Sequence, residues 1–128
     1  QIEAVLDSGS QIISMNKRHA VGVRLTWDPE IVINMMSANG ELNLTCGMVI
    51  NAPCTIGDIV VHFQIHIINN APYDMLIGRP FNALAQTKIE NYQDGGQLLM
   101  LTDPNNGHPS LPSEFAILTK VIAFCFWH

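Results

Sequence analysis

The chain has 128 residues, of which 48% are hydrophobic and only 13% are charged. Its length predicts one domain of ordinary size, and its apolar content excludes an intrinsically disordered chain. Six basic residues against eleven acidic ones give a net charge of −5 without any basic run, so nucleic acid is not an expected partner. No apolar stretch approaches the roughly 18 residues of a membrane span, so a membrane is not expected either. Because the chain begins with Gln1 and shows no signal peptide, we expect a segment cut from a longer protein.

In chain order, the first predicted element is a strand over the apolar residues Ala4–Leu6, which ends at Asp7. Ser14 is a candidate N-cap for a short helix over Met15–Val21. Polar and apolar residues then alternate over Glu41–Cys46, which predicts a half-buried strand.

A long hairpin follows. The alternation over Ile59–Ile68 predicts a long strand, and Val49–Ile56 is its predicted hairpin partner, in which Pro53 indicates an edge or a bulge. Pro80 suits the first turn of a second short helix, which is predicted over Phe81–Gln86.

The last predicted elements are the two arms of another hairpin, Lys88–Tyr92 and Gln97–Thr102. Turn-forming residues then mark the end of a domain over residues 1–107, and residues 108–128 are interpreted as a linker and an apolar tail of unknown role. Many short strands with one or two short helices predict an all-β domain, either a barrel or a sandwich.

The three cysteines, Cys46, Cys54 and Cys125, are widely spaced. This is typical of buried thiols in a reducing compartment, with one disulfide and a spare thiol as the alternative. Cys46, Cys54, His62 and His66 are all zinc-ligand types, but structural zinc sites hold each pair of ligands within about two to five residues. The sequence therefore predicts no metal site and no cofactor.

The segment Ala4-Val5-Leu6-Asp7-Ser8-Gly9-Ser10 leads an apolar strand directly into a carboxylate. A carboxylate at the end of a buried strand loses solvation unless partners compensate. Gly9 permits a turn that directs backbone N–H groups toward Asp7, and two serine hydroxyls can hydrogen-bond across that turn. Without further context, Asp-Ser-Gly is typical of an ordinary turn.

A second stretch, Asn70-Ala71-Pro72-Tyr73-Asp74-Met75-Leu76-Ile77-Gly78-Arg79-Pro80, places a short apolar strand before a glycine and a helix. An apolar-apolar-Asp-Ser-Gly motif with a later apolar-apolar-Gly motif resembles the retropepsin family of aspartic proteases. Met36–Gly40 is similar to the tip of the family's flap hairpin. Residues 2–107 as a whole resemble the protease segment of Gag-Pol polyproteins from retrotransposons, particularly gypsy-type fungal elements.

The resemblance implies an all-β, retropepsin-like (acid protease) closed barrel with one lobe per chain and one or two short helices. It implies that Asp7 is catalytic and that the active-site loop consists of Ser8, Gly9 and Ser10. The implied flap tip is Ser37, Ala38, Asn39 and Gly40, and the implied crossing strand beneath the loop is Leu76, Ile77, Gly78 and Arg79. Ser8 would hydrogen-bond across a dimer axis, Ser10 would bond the outer oxygen of the catalytic carboxylate, and Asp74 would be structural.

Three features differ from the family's pattern. Only residues 1–6 precede Asp7, where a further strand and turn are expected, so we expect that the first strand is missing or was trimmed. Gln11 stands where retroviral members often carry an acidic partner for the arginine that corresponds to Arg79. The tail after Gly107 matches nothing in the family.

Aspartic proteolysis uses two carboxylates that share one proton, and the sequence contains no second Asp-Ser/Thr-Gly. A symmetric homodimer would place Asp7 beside its own copy. The predicted function is an intracellular, cytoplasmic aspartic endopeptidase, part of a retroelement polyprotein or particle, whose substrate is its own polyprotein. The alternative is a catalytically inactive retropepsin-like module, a relic that dimerises or binds peptides.

Overall fold

The computed structural model describes residues 2–7, 9–36, 40–56, 59–86, 88–91, 93, 97–110 and 120–125. These residues form eleven strands and two short helices. The strands are β1 (Ile2–Leu6), β2 (Ile13–Asn16), β3 (Asn34–Met36), β4 (Leu42–Leu44), β5 (Gly47–Ile56), β6 (Ile59–Ile68), β7 (Met75–Ile77), β8 (Lys88–Asn91), β9 (Gln97–Thr102), β10 (Pro109–Ser110) and β11 (Lys120–Cys125). The helices are α1 (Lys17–Gly22) and α2 (Arg79–Ala85). Within the described ranges, no helix has the length and apolar character that crossing a membrane requires.

Six strands form a closed barrel in the order β1-β11-β5-β6-β2-β7, and β7 pairs back onto β1. The β1–β7 and β2–β6 pairings are parallel, and the other pairings around the barrel are antiparallel. β3 and β4 form a separate hairpin, while β8, β9 and β10 form a three-stranded sheet. The prediction of an all-β barrel with one or two short helices is confirmed.

β6 shows how the sequence pattern builds this barrel. Its odd-numbered residues, from Ile59 to Ile67, are at most 4% exposed, because successive side chains of a strand point to opposite faces. β5 pairs with it antiparallel, with a shift in register between Val49 and Ala52. The predicted bulge is therefore confirmed, but it lies ahead of Pro53, which pairs in register with His62.

The second helix packs its buried face against the barrel. Phe81 of α2 meets Phe63 of β6 edge to face, with ring centroids 5.9 Å apart and ring planes at 89°, and both rings are buried. Aromatic pairs of this kind add roughly 0.5–1.5 kcal/mol beyond their area of burial. The contact fixes α2 next to the end of β7, where the candidate site lies.

The helix prediction near Ser14 is wrong in its boundaries. β2 continues through Asn16, and Asn16 rather than Ser14 is the N-cap of α1, because its side-chain oxygen accepts a hydrogen bond from the Arg18 backbone N–H at 3.2 Å. Ser14 is a buried strand residue instead. α2 likewise begins at Arg79, two residues before the predicted start at Phe81.

Two further segments differ from what the sequence predicts. The predicted half-buried strand over 41–46 is the short β4, and its apolar residues Leu42 and Leu44 are 63% and 65% exposed. In the region interpreted as linker and tail, β10 pairs with β9, and β11 lies in the barrel between β1 and β5. The domain boundary at residue 107 stays a prediction.

Candidate active site

β1 delivers Asp7 to the surface of the barrel. Ile2, Ala4 and Leu6 face the interior and are buried, and Asp7 follows directly as an exposed residue. The Asp7 backbone N–H donates to the Ile77 carbonyl at 3.0 Å, so the end of β1 is tied to the end of β7. An apolar strand with a polar terminus therefore holds this carboxylate at a fixed point on a rigid element.

Two backbone N–H groups of the loop after β1 donate to Asp7, one to its side chain and one to its backbone carbonyl. The Gly9 N–H donates to the Asp7 Oδ1 at 2.9 Å, and the Ser10 N–H donates to the Asp7 backbone carbonyl at 3.1 Å. The bond from Gly9 holds the Asp7 side chain in one orientation relative to the loop. Ser8 lies outside the described residues.

Ser10 makes a different contact from the one that the family resemblance implies. Its hydroxyl donates to the Ile12 carbonyl at 3.1 Å and accepts from the Ile12 N–H at 3.4 Å. A hydroxyl has one proton to donate, so in this geometry that proton is not directed at Asp7. Ser10 shapes the loop here, and its bond to the Asp7 carboxylate stays a prediction.

The loop is held in place by the close approach of the backbone at Gly78 to the backbone of Ser10 and Ile12. A Cβ atom at Gly78 would lie 2.1 Å from the Ile12 carbonyl oxygen and 2.7 Å from that of Ser10, so only glycine fits at this position. The Arg79 N–H donates to the Ser10 carbonyl at 2.8 Å. Leu76 and Ile77 bring the chain to this point through their pairing with β1. The structure therefore brings the loop residue Ser10 together with Gly78 and Arg79 of the predicted crossing.

The structure adds Ser14 and Tyr73 to the surroundings of the site, where the sequence did not place them. The Ser14 hydroxyl lies 2.8 Å from the Tyr73 hydroxyl, and Ser14 is fully buried. Burial raises the pKa of Tyr73, the bond to Ser14 opposes that rise, and the nearby negative charge of Asp7 adds to it. Tyr73 is therefore part of the electrostatic surroundings of Asp7. Its position just before β7 was the only signal available, because a bond spanning 59 residues leaves no local pattern.

A hairpin stands where the flap is predicted. β3 and β4 pair antiparallel with Met36 opposite Leu42, and Gly40 has the left-handed φ of +84° that favours glycine. Ser37, Ala38 and Asn39 lie outside the described residues. The role of this hairpin as a flap over Asp7 stays a prediction.

Two grooves run next to these elements. One, of about 580 Å³, separates the hairpin residues Met35 and Asn43 from the segment at Ala71 and Pro72. The other, of about 500 Å³, lies between that same segment and β1, where Val5 is two residues from Asp7. Ala71 and Pro72 line both grooves, so this segment lies between the hairpin and the strand that ends at Asp7.

The Cys and His set is spread over the two faces of the barrel wall. Cys54 is fully buried, whereas His62, on the neighbouring strand, is exposed. In the part of the chain that the structure describes, no three His, Cys, Asp or Glu residues are grouped so that they could hold a metal ion.

Comparison with known proteins identifies the fold. No protein-family model matches the chain, and no curated protein matches it. Among solved structures, it is similar to the crystal structure of the retroviral protease-like domain of Ddi1 from Leishmania major, with a TM-score of 0.56 over 82% of this chain and 87% of that chain. The fold is retropepsin-like. At 21% sequence identity the similarity establishes the fold alone, so the retropepsin-like prediction is confirmed at that level.

Proposed function

We propose that the chain is one half of a homodimeric aspartic endopeptidase, with Asp7 as its contribution to a catalytic pair of carboxylates. The observation that carries the proposal is the exposed Asp7 at the end of β1, held by the Gly9 N–H and by the crossing at Gly78, on a retropepsin-like fold. The chemistry requires two such carboxylates, and the sequence supplies one Asp-Ser-Gly per chain.

In the proposed reaction, the two Asp7 carboxyl groups of the dimer share one proton, because two carboxylates about 3 Å apart do not both ionise readily. The ionised group takes a proton from a water molecule, which attacks the peptide carbonyl carbon, while the protonated group donates to the carbonyl oxygen. Collapse of the resulting tetrahedral intermediate returns a proton to the leaving amine and cleaves the C–N bond. The chain's own groups supply all proton transfers in this scheme.

The proposed substrate is an extended polypeptide. One groove lies between the hairpin and the Ala71–Pro72 segment, and another lies between that segment and β1, so the proposal has two candidate surfaces for a peptide. Extended peptides bind such surfaces through backbone pairing, with alternate side chains in pockets. The sequence motifs support a retrotransposon polyprotein, cut in the cytoplasm or inside a particle, as the natural substrate.

The test is the substitution Asp7→Asn, assayed on a generic peptide library at mildly acid pH. Asparagine keeps the shape of the side chain and an acceptor for the Gly9 N–H but cannot act as the base, so activity should fall by at least about 10²-fold while the melting temperature changes little. Asp103→Asn is the matched control, because Asp103 lies in the turn that follows β9, where its side chain accepts bonds from Asn105. Wild-type protein that forms dimers but cleaves no peptide would instead favour the inactive, peptide-binding alternative.

A further inference from the structure

The barrel is closed by a strand from the far end of the described chain. β11 pairs with β1 through Ile2↔Ala123 and its neighbours, and with β5 on its other side through Ala123↔Ile56. The nine residues 111–119 connect it to β10. Among the described residues, β11 is attached to the barrel by its two ladders, one with β1 and one with β5.

The register of β11 against β5 places two cysteines directly opposite each other. Cys125 is the Cα partner of Cys54. Directly opposed residues of an antiparallel pair have Cα atoms roughly 4.5 to 5.5 Å apart, and disulfides form across Cα distances of roughly 4.4 to 6.8 Å. The backbone geometry at this pair is therefore compatible with a disulfide.

The third cysteine cannot take the place of either partner within one chain. Cys46 lies just ahead of β5, where its backbone N–H donates to the Ile67 carbonyl. Eight residues of extended strand separate it from Cys54, which is a distance of roughly 25 Å. Cys46 therefore serves as an internal control for the specificity of the pairing.

We propose that Cys54 and Cys125 are a redox modification site, at which a cross-strand disulfide fixes β11 to β5. A low-molecular-weight disulfide is the oxidant. One cysteine, as its thiolate, attacks a sulfur of that disulfide and releases one equivalent of the small thiol. The second cysteine then attacks the mixed disulfide and releases the other equivalent, so two protein thiols are oxidised and one small disulfide is reduced to two thiols. This inference is independent of whether the chain cleaves peptides.

The surroundings of the pair determine when it reacts. Cys54 is 0% exposed, so an external disulfide reaches it only when the end of β11 separates from β5. Under reducing conditions β11 is held by the hydrogen bonds of its ladders, and under oxidising conditions the disulfide also links it covalently to β5. The redox state of the pair thus sets how readily β1 loses its neighbour.

The experiment uses the whole chain, purified in reductant and then equilibrated with oxidised glutathione. Thiol titration of the unfolded protein should fall from three groups before oxidation to one after it, and peptide mapping under non-reducing conditions should link the peptides that contain Cys54 and Cys125. Because the bridge closes a loop of about 70 residues, the melting temperature should rise by roughly 10 °C, and a reductant should reverse that rise.

The matched variants separate this pair from general thiol reactivity. Cys46→Ser should still form the bridge and show the full rise, whereas Cys125→Ser should show neither. Wild-type protein that yields only mixed disulfides, a bridge involving Cys46, or a covalent dimer would overturn the proposal. So would a bridged chain that melts at the same temperature as the reduced one or below it.

Discussion

At the scale of single residues, the candidate site depends on how closely two backbone segments approach each other. The Ile12 and Ser10 carbonyl oxygens occupy the space where a side chain at Gly78 would begin. That approach lets the Arg79 N–H reach Ser10, and it thereby holds the loop that carries Gly9 under Asp7. The absence of one side chain is therefore a structural requirement of the site.

Gly78→Ala should destabilise the chain strongly, because the atoms that the new methyl group meets are backbone and cannot rotate away. Overpacking of this kind costs about 1–3 kcal/mol, and we expect the upper end of that range in urea unfolding. Gly22→Ala is the matched control, since Gly22 ends α1 and a methyl group placed there would meet nothing within 4 Å. It should be neutral or slightly stabilising. Equal effects of the two substitutions would contradict the role assigned to the crossing.

His66 is a second residue whose surroundings have a measurable consequence. It lies on β6 between its register partners Ser14 of β2 and Met48 of β5. Its Nδ1 atom is buried and has no hydrogen-bond partner among the described residues, and burial lowers the pKa of His66. The folded chain therefore resists protonation at this position.

This shift predicts the direction of a pH effect on stability. As the pH falls below about 6.5, the unfolded chain takes up a proton at His66 before the folded chain does. The free energy of unfolding should therefore be fully retained above that pH and should decrease as the pH falls toward the lowered pKa. His66→Gln should flatten this part of the profile, as measured by urea midpoints at several pH values. His62→Gln, at an exposed position on the same strand, should leave the slope unchanged, and a slope that survives in His66→Gln would refute the assignment.

At the scale of elements, the β3–β4 hairpin stands out because it buries little of its apolar surface. Met36, Leu42 and Leu44 are 63% to 70% exposed, although the alternation over residues 41–46 predicted a half-buried strand. A period of two shows that a segment is extended and that its faces differ. It does not show whether anything covers the apolar face, which depends on distant parts of the chain or on other molecules.

Gly40→Val tests the function of this hairpin. A β-branched residue at φ +84° is strained by about 1–2 kcal/mol, which corresponds to about tenfold in turnover if the hairpin must close over the substrate. Gly107→Val is the control, because Gly107 has a φ of +72° with open space around it, in a turn far along the chain. Both variants should lose similar stability, but only Gly40→Val should lose turnover without losing dimerisation. Equal peptidase activity in the two would argue against a flap.

How much of each element was predictable depended on the range of its interactions. The β6 pattern and the Asp-Ser-Gly turn are local, so the sequence predicted both the strand and the loop. The cap of α1 was misassigned because Ser14 and Asn16 are both good capping residues, and only tertiary burial of Ser14 against Tyr73 decides between them. β11 carries an apolar pattern that many strands share, so its partners could not be derived locally.

At the scale of the whole molecule, one Asp-Ser-Gly per chain makes activity a property of the proposed assembly. If the catalytic pair forms between two copies, mixing active chains with Asp7→Asn chains produces mixed dimers that lack the pair. After subunit exchange in an equal mixture, activity should fall to about a quarter, because only dimers of two active chains retain both carboxylates. A fall to one half would show that each chain works alone. The same mixture made with Asp103→Asn chains should keep its full activity.

The pairing of β1 with β11 also has a consequence for folding during synthesis on the ribosome. These strands are neighbours in the barrel but lie at opposite ends of the described chain, so the ribosome releases β11 long after β1. Until then, β1 presents one unpaired edge, and contacts between such distant segments form slowly. Barrel closure is therefore expected to be a late event in synthesis, and nascent chains that stop short of residue 120 should be the ones that engage chaperones or aggregate.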